Sequence, residues 1–231
     1  MTDHITPSLL RYSSVRWRLG GSIHGGGESV FGESQTRRSD GGGRWFAELG
    51  SIQINTDAHA QLVEALLLDW NNGNDKVLLH RRAAPLIVGG GSLVPFSDGA
   101  TFSDGSSLVS GQVNAEFAAS AAKRATTLSV RVWGARAFMG GEPFTVIHPT
   151  MEDRLYGTAR VLSSVADGEA TVYSLRISPP LREAVTSGDQ IDFNKPRCTM
   201  RLDMSGDEPW PTYEPGWLSR INLRFSETFR L

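Results

Sequence analysis

Cysteine is almost absent from this sequence of 231 residues: the one thiol, Cys198, has no partner in the chain, which excludes an internal disulfide framework. Lysine is scarce as well, since all of the 23 basic residues except Lys76, Lys123 and Lys195 are arginine. The formal charge of −2 lacks the basic excess of a dedicated nucleic-acid binder. Apolar runs such as 65–68 fall far short of the roughly 18 residues that cross a bilayer. Asp3 and His4 stand where a secretory leader has basic residues and an apolar core, so export by that route is not expected. What is present, 39% apolar and 21% charged residues with 25 glycines, is the composition of a folded soluble chain of one or two domains.

Signatures of catalysis are also missing. Three glycine clusters, 20–21 with 25–27, 41–43 and 89–91, carry neither the Lys-Ser/Thr pair of a phosphate loop nor dinucleotide-type spacing. They read as turns and strand ends, where glycine permits a positive φ. His4, His24, His59, His80 and His148 form no HExxH and no pair at metal-ligand spacing. His148, before Pro149, reads as a strand-end residue, His59 as a surface residue in a first helical turn, and Cys198 as a small core hydrophobe. No serine lies in a GxSxG elbow. Glu152 with Asp153, and Asp207 with Glu208, read as solvated turn residues and not as facing glycosidase carboxylates. No catalytic, cofactor-binding or metal-binding residue is assigned, and no cofactor is expected.

The dominant periodicity is two, so strands should dominate. Val15, Trp17 and Leu19 alternate with arginines, as do Leu128, Val130 and Val132 with Ser129 and Arg131. Cys198, Met200 and Leu202 alternate with Thr199 and Arg201, and Ile221, Leu223 and Phe225 with Asn222 and Arg224. Each predicts a half-buried antiparallel strand. Further strands are predicted at 44–54, 76–82, 144–148, 155–163, 170–178 and 190–193. One amphipathic helix, about 57–71, is predicted from the stripe Ala58, Leu62, Leu66, Trp70, widened by Val63 and Leu67. Thr56 or Asp57 would cap it and Gly73 would stop it. Alanine content offers a second helix at 115–124.

Glycine and serine divide the chain at 89–91 and 97–111, where the six-residue echo FSDG (96–99 and 102–105) is too short to define a solenoid. The strands of 127–196 suffice for a small barrel. The last two strands need another sheet, because an isolated hairpin is marginal in water. The expected organisation is a discontinuous β-sandwich (1–90 and 197–231), a connector (91–126) and an inserted small β-barrel (127–196). Within strands, Trp17 and Trp45 are expected to face the core and Arg18 and Arg44 the rim, against a base-stacking platform. Trp210, Tyr213 and Trp217, among prolines in 206–216, are the candidate interface residues; a sugar-stacking surface is the competing reading.

The order of features resembles that of distal tail proteins of long-tailed (siphovirus-type) bacteriophages. The likeness rests on GGGRWFAELGSIQI followed by AQLVEALLLDW, on GEPFTVIHPTMEDRLYGTARVLSS with ATVYSLRISPPLREAV, and on PRCTMRLDM and RINLRFSETF. PPLREAV, residues 179–185, is its most specific element. The resemblance implies a mainly β fold, a tail-tube-like sandwich with one packed helix and an inserted barrel. It also implies a non-enzymatic virion protein that forms a ring, typically a hexamer, joining the tail tube protein to the tail-tip hub or baseplate. DNA would pass through the lumen without sequence-specific contact, and no membrane insertion is implied. The virion tail tip, and the host cytoplasm during assembly, would be its locations. The insert is shorter than that of some members, so the resemblance does not carry over a receptor- or glycan-binding extension and leaves open whether the insert binds either. A carbohydrate-binding β-sandwich module is the alternative function, and a cell-wall hydrolase follows it.

Overall fold

Alternation becomes strand along most of the chain in a computed structural model, which is mainly β with one long helix. It describes residues 3–5, 7–21, 23–28, 34–38, 42–70, 77–81, 92–94, 108–110, 113–203, 210–211 and 219–229. The elements are β1 (Asp3–Ile5), α1 (Pro7–Leu10), β2 (Tyr12–Gly20), β3 (Ile23–Glu28), β4 (Ser34–Arg38), β5 (Arg44–Ile54), α2 (Asp57–Trp70) and β6 (Val77–His80). They continue with β7 (Ser92–Val94), β8 (Leu108–Ser110), β9 (Asn114–Phe117), β10 (Thr127–Trp133), β11 (Pro143–His148) and β12 (Glu152–Asp167). The last are β13 (Ala170–Ser178), β14 (Ile191–Asp192), β15 (Arg197–Leu202) and β16 (Ser219–Glu227). Two compact units divide the chain: Met1–Ala83 with Arg197–Leu231, and Ala84–Pro196. β3 pairs with β4 and β7 with β8 as separate hairpins.

In the first unit six strands are ordered β1-β6-β15-β16-β5-β2, antiparallel except for the parallel pair β1 and β6. The two late strands sit in the middle of this sheet: Cys198 lies opposite Leu79 and Phe225 opposite Ala47. One face buries Trp45, Ala47, Leu49, Leu223 and Phe225, while Arg44 is exposed, as alternation predicts. Cys198 is fully buried. Between Ile221 and Leu223 the register shifts, and Asn222 Oδ1 accepts the Ser51 N–H at 2.8 Å. That bond holds Ser51 at φ 53, a left-handed conformation that costs a residue with a side chain.

Helix α2 starts where Thr56 Oγ1 accepts the His59 N–H at 3.2 Å, satisfying a first-turn amide that no helical carbonyl can reach. Its buried face is His59, Val63, Leu67 and Trp70, and Trp70 meets Phe225 edge-to-face with ring centroids 5.8 Å apart. This corrects the expected stripe. Ala58 and Leu62 are exposed and Leu66 is half-buried, so the shared residues are Trp70 and the two expected to widen the stripe, Val63 and Leu67. The reason is geometric: with Trp70 set against Phe225, positions three, seven and eleven residues earlier point the same way. His59 is therefore a core residue, contrary to its surface assignment. Gly73 lies outside the described residues.

In the second unit the strands run β14-β11-β12-β13-β10-β9, all antiparallel. The ends approach one another through a Glu116–Gln190 bridge, with the Phe117 N–H donating to Asp189 O at 2.9 Å and the Gly188 N–H to Phe117 O at 2.8 Å. The sheet is thereby barrel-like and nearly closed. Its interior holds an aromatic chain: Phe138 stacks on Tyr173 (4.6 Å), and Phe193 contacts both Phe138 (5.0 Å) and Phe144 (5.1 Å). The helix expected at 115–124 is not formed. Ala115 and Phe117 alternate into the barrel core and pair with β10, so tertiary pairing overrides alanine's helix preference. The barrel thus begins within the stretch expected to be connector; the FSDG echo lies outside the described residues.

Candidate functional site

Strand pairing in the first unit builds a row of charge on the sheet face opposite the buried one. Arg16 on β2 and Arg224 on β16 both lie opposite Glu48 on β5, because antiparallel partners point to the same face. Arg224 Nε is 3.8 Å from Glu48 Oε1, with both side chains largely in water, so the pair is worth at most about 1 kcal/mol. One row along, the Arg18 guanidinium lies over the Phe46 ring, 4.8 Å from its centroid. These residues, with Asp203 at the end of β15, line a cleft of about 280 Å³. The cleft presents guanidinium groups beside carboxylates, chemistry that orients a partner by charge and planar hydrogen bonding. Beside it, the outer edge of the nine-residue strand β2 pairs with no described strand.

In the second unit a buried polar cluster forms around the Tyr156 hydroxyl. The Arg182 N–H donates to Tyr156 Oη at 2.9 Å, and His148 Nε2 lies 2.8 Å from the same oxygen. The ring tautomer decides which of the two donates in that bond. Burial is the main cause that lowers the His148 pKa to about 4; Arg154 and Arg182 push the same way, and Glu183 and Asp189 oppose them. His148 is accordingly neutral at pH 7. Burial pushes the Glu183 carboxyl up, but the Thr150 and Met151 amides, each 3.2 Å from Oε2, together with the Thr150 side chain and the charge interaction with His148, bring the group below the usual carboxylate range. The buried Glu142 ties the turn before β11: Oε1 accepts the Met139 N–H at 2.6 Å and the Gly140 N–H at 2.9 Å. On the barrel's outside, Arg131 bridges Glu116 and Asp167, each at 2.9 Å. Those hydrogen bonds raise the arginine pKa further.

Of the expected interface residues only Trp210 is among the described ones. Trp210 is 37% exposed, while Tyr213 and Trp217 lie outside the described residues, as do Asp207 and Glu208. Glu152 and Asp153 are half-buried and open strand β12, which corrects their assignment as solvated turn residues. His148 does end a strand, but it is buried. The signal for its burial was in the alternation Phe144, Val146, His148, which puts the imidazole on the same face as two core residues. Nothing local marked Tyr156 or Arg182 as its neighbours. Among the described residues no group of three His, Cys, Asp or Glu side chains could hold a metal ion, and no helix is long and apolar enough to cross a membrane. Compared with known proteins, the chain matches no protein-family model and no curated protein sequence.

Proposed function

We propose that this chain is a structural virion protein that forms a ring at the distal end of a phage tail, joining the tail tube to the tail-tip hub around the DNA channel. One observation carries the reading: β15 and β16, from the end of the chain, lie between β6 and β5 in the first sheet, so the barrel unit is an insertion into a host sheet. That is the organisation on which the resemblance to distal tail proteins turns. The open edge of β2 and the arginine-lined cleft beside it support the assembly role. An unpaired strand edge is an aggregation hazard for a single molecule and an interface for a ring. The work is done by surfaces and not by a reaction: heterologous contacts close the ring, and its opposite faces meet tube and hub.

Negative-stain images and mass measurement of the purified full-length chain test this. A hollow particle with axial symmetry is expected. A monomer at all concentrations overturns the proposal, and glycan-array binding by such a monomer would replace it with the carbohydrate-binding alternative.

A further inference from the structure

Among the described residues of the nearly closed barrel, β12 has a long overhang beyond its outer neighbour. This strand has 16 residues, but its outer neighbour β11 has only six and pairs with it from Glu152 to Gly157. One residue further, the Thr158 N–H donates to Glu142 O at 2.9 Å and Thr158 O accepts the Gly141 N–H at 2.7 Å. From Ala159 to Asp167 the strand is paired with β13 alone among the described residues, and every residue but Val161 is exposed.

The charge of Arg160 and an irregular backbone protect the start of the overhang, as free edges usually are protected, but its outer stretch has little of either. Its register shifts fall at Ala159 and Leu162, so 163–167 is a regular strand in step with β13. The sequence from Val161 to Ala166 is uncharged, and it exposes Leu162 (49%) and Val165 (63%). Asp167, the one charge at its end, is already held by Arg131.

The geometry points to an antiparallel pairing of this edge with the same edge of a second copy, about a two-fold axis through Val165. The strand complements itself in that register. On the outer face Val165 meets Val165 of the other copy, and each Ser163 hydroxyl meets a carboxylate oxygen of Asp167. On the inner face Ser164 lies opposite Ala166, small beside small. Leu162 falls beside Gly168, which has no side chain to obstruct it. No like charges oppose one another, whereas moving the axis to Ala166 would set Val165 against Asp167. The five-residue contact is short of a standard stable interface, so it forms transiently unless other surfaces support it. Covalent capture is therefore the appropriate readout.

Val165→Cys in the full-length chain under mild oxidation supplies the test, with Ile147→Cys as the control. Ile147 is equally exposed, at 63%, but lies on β11 away from the proposed axis. The native Cys198 is buried and contributes no background. Val165→Cys should form a disulfide-linked dimer about tenfold faster or more than Ile147→Cys, because paired strands hold the two thiols at high effective concentration. Equal rates for the two variants overturn the pairing and leave the edge to a strand from another polypeptide. The inference does not rest on the tail-tip reading. A ring whose Val165→Cys variant stays uncrosslinked retires the edge pairing alone, and cross-linking without a ring retires the ring alone.

Discussion

His148 gives the second unit a built-in dependence on pH. Its side chain is buried against Tyr156, and its pKa falls from 6.5 to about 4, chiefly through burial. Above pH 6.5 the ring is neutral in both folded and unfolded chains, and the stability of the site is complete. As the pH falls below 6.5 the unfolded chain takes up the proton first, and stability is lost until the folded ring is protonated near pH 4. At about 1.4 kcal/mol for each tenfold change, the loss reaches about 2 kcal/mol by pH 5 and about 3 kcal/mol below pH 4. Carboxylates titrate in part of the same range, so the informative quantity is the stability difference between wild type and His148→Gln at each pH. Denaturant unfolding at pH 7.5 and pH 5, followed by a signal from the barrel, measures it. The variant should be about 1–2 kcal/mol less stable at pH 7.5, where it disturbs the hydrogen bond to Tyr156, and the gap should close or reverse at pH 5. A gap that stays constant across the range, or an imidazole titrating near 6.5 by NMR, would refute the argument.

Two further substitutions test the packing described above. Leu67→Ala on α2 should cost about 2–5 kcal/mol, since Leu67 is 1% exposed, whereas Leu68→Ala, at 61% exposed one position along, should fall within about 0.5 kcal/mol of wild type by melting or denaturant midpoint. Glu142→Ala deprives the Met139 and Gly140 amides of their acceptor and should destabilise the barrel by about 1–3 kcal/mol, with faster hydrogen exchange at those two amides.

Strand existence was legible because it rests on side-chain alternation, a property of each segment alone. The expected strand at 170–178 coincides with β13 and that at 44–54 with β5. Helix α2 was legible as an element, but its buried face only in part: Val63, Leu67 and Trp70 belonged to the expected stripe and His59 did not. Leu66, Leu67 and Leu68 are consecutive, so apolar spacing supports more than one stripe, and the choice is made by the Phe225 ring, contributed from 155 residues further along. His59 compounded the difficulty, since a histidine in a first turn ordinarily lies at the surface. Strand β9 failed for a related reason. The alanines of 115–124 favour helix locally, and only the Glu116–Arg131 and Ala115–Val132 pairings with β10 show that the first residues of that stretch form a strand.

The features on which the proposals rest were the least legible, and for one physical cause. A strand's pattern states which side chains are dry and which are wet, but not how far its neighbour extends. The sequence 155–163 reads as a strand, yet nothing in it shows that β11 stops short and leaves β12 with an open edge. The arginine row has the same character: Arg16, Glu48 and Arg224 are distant in sequence, and only register makes them neighbours. An enzyme's residues often announce themselves by motif, because a reaction fixes their chemistry. Residues that work by pairing with another chain are constrained by shape and register, which many side chains can satisfy. Surfaces of that kind are to be sought where internal pairing stops, here the outer edge of β2 and the overhang of β12.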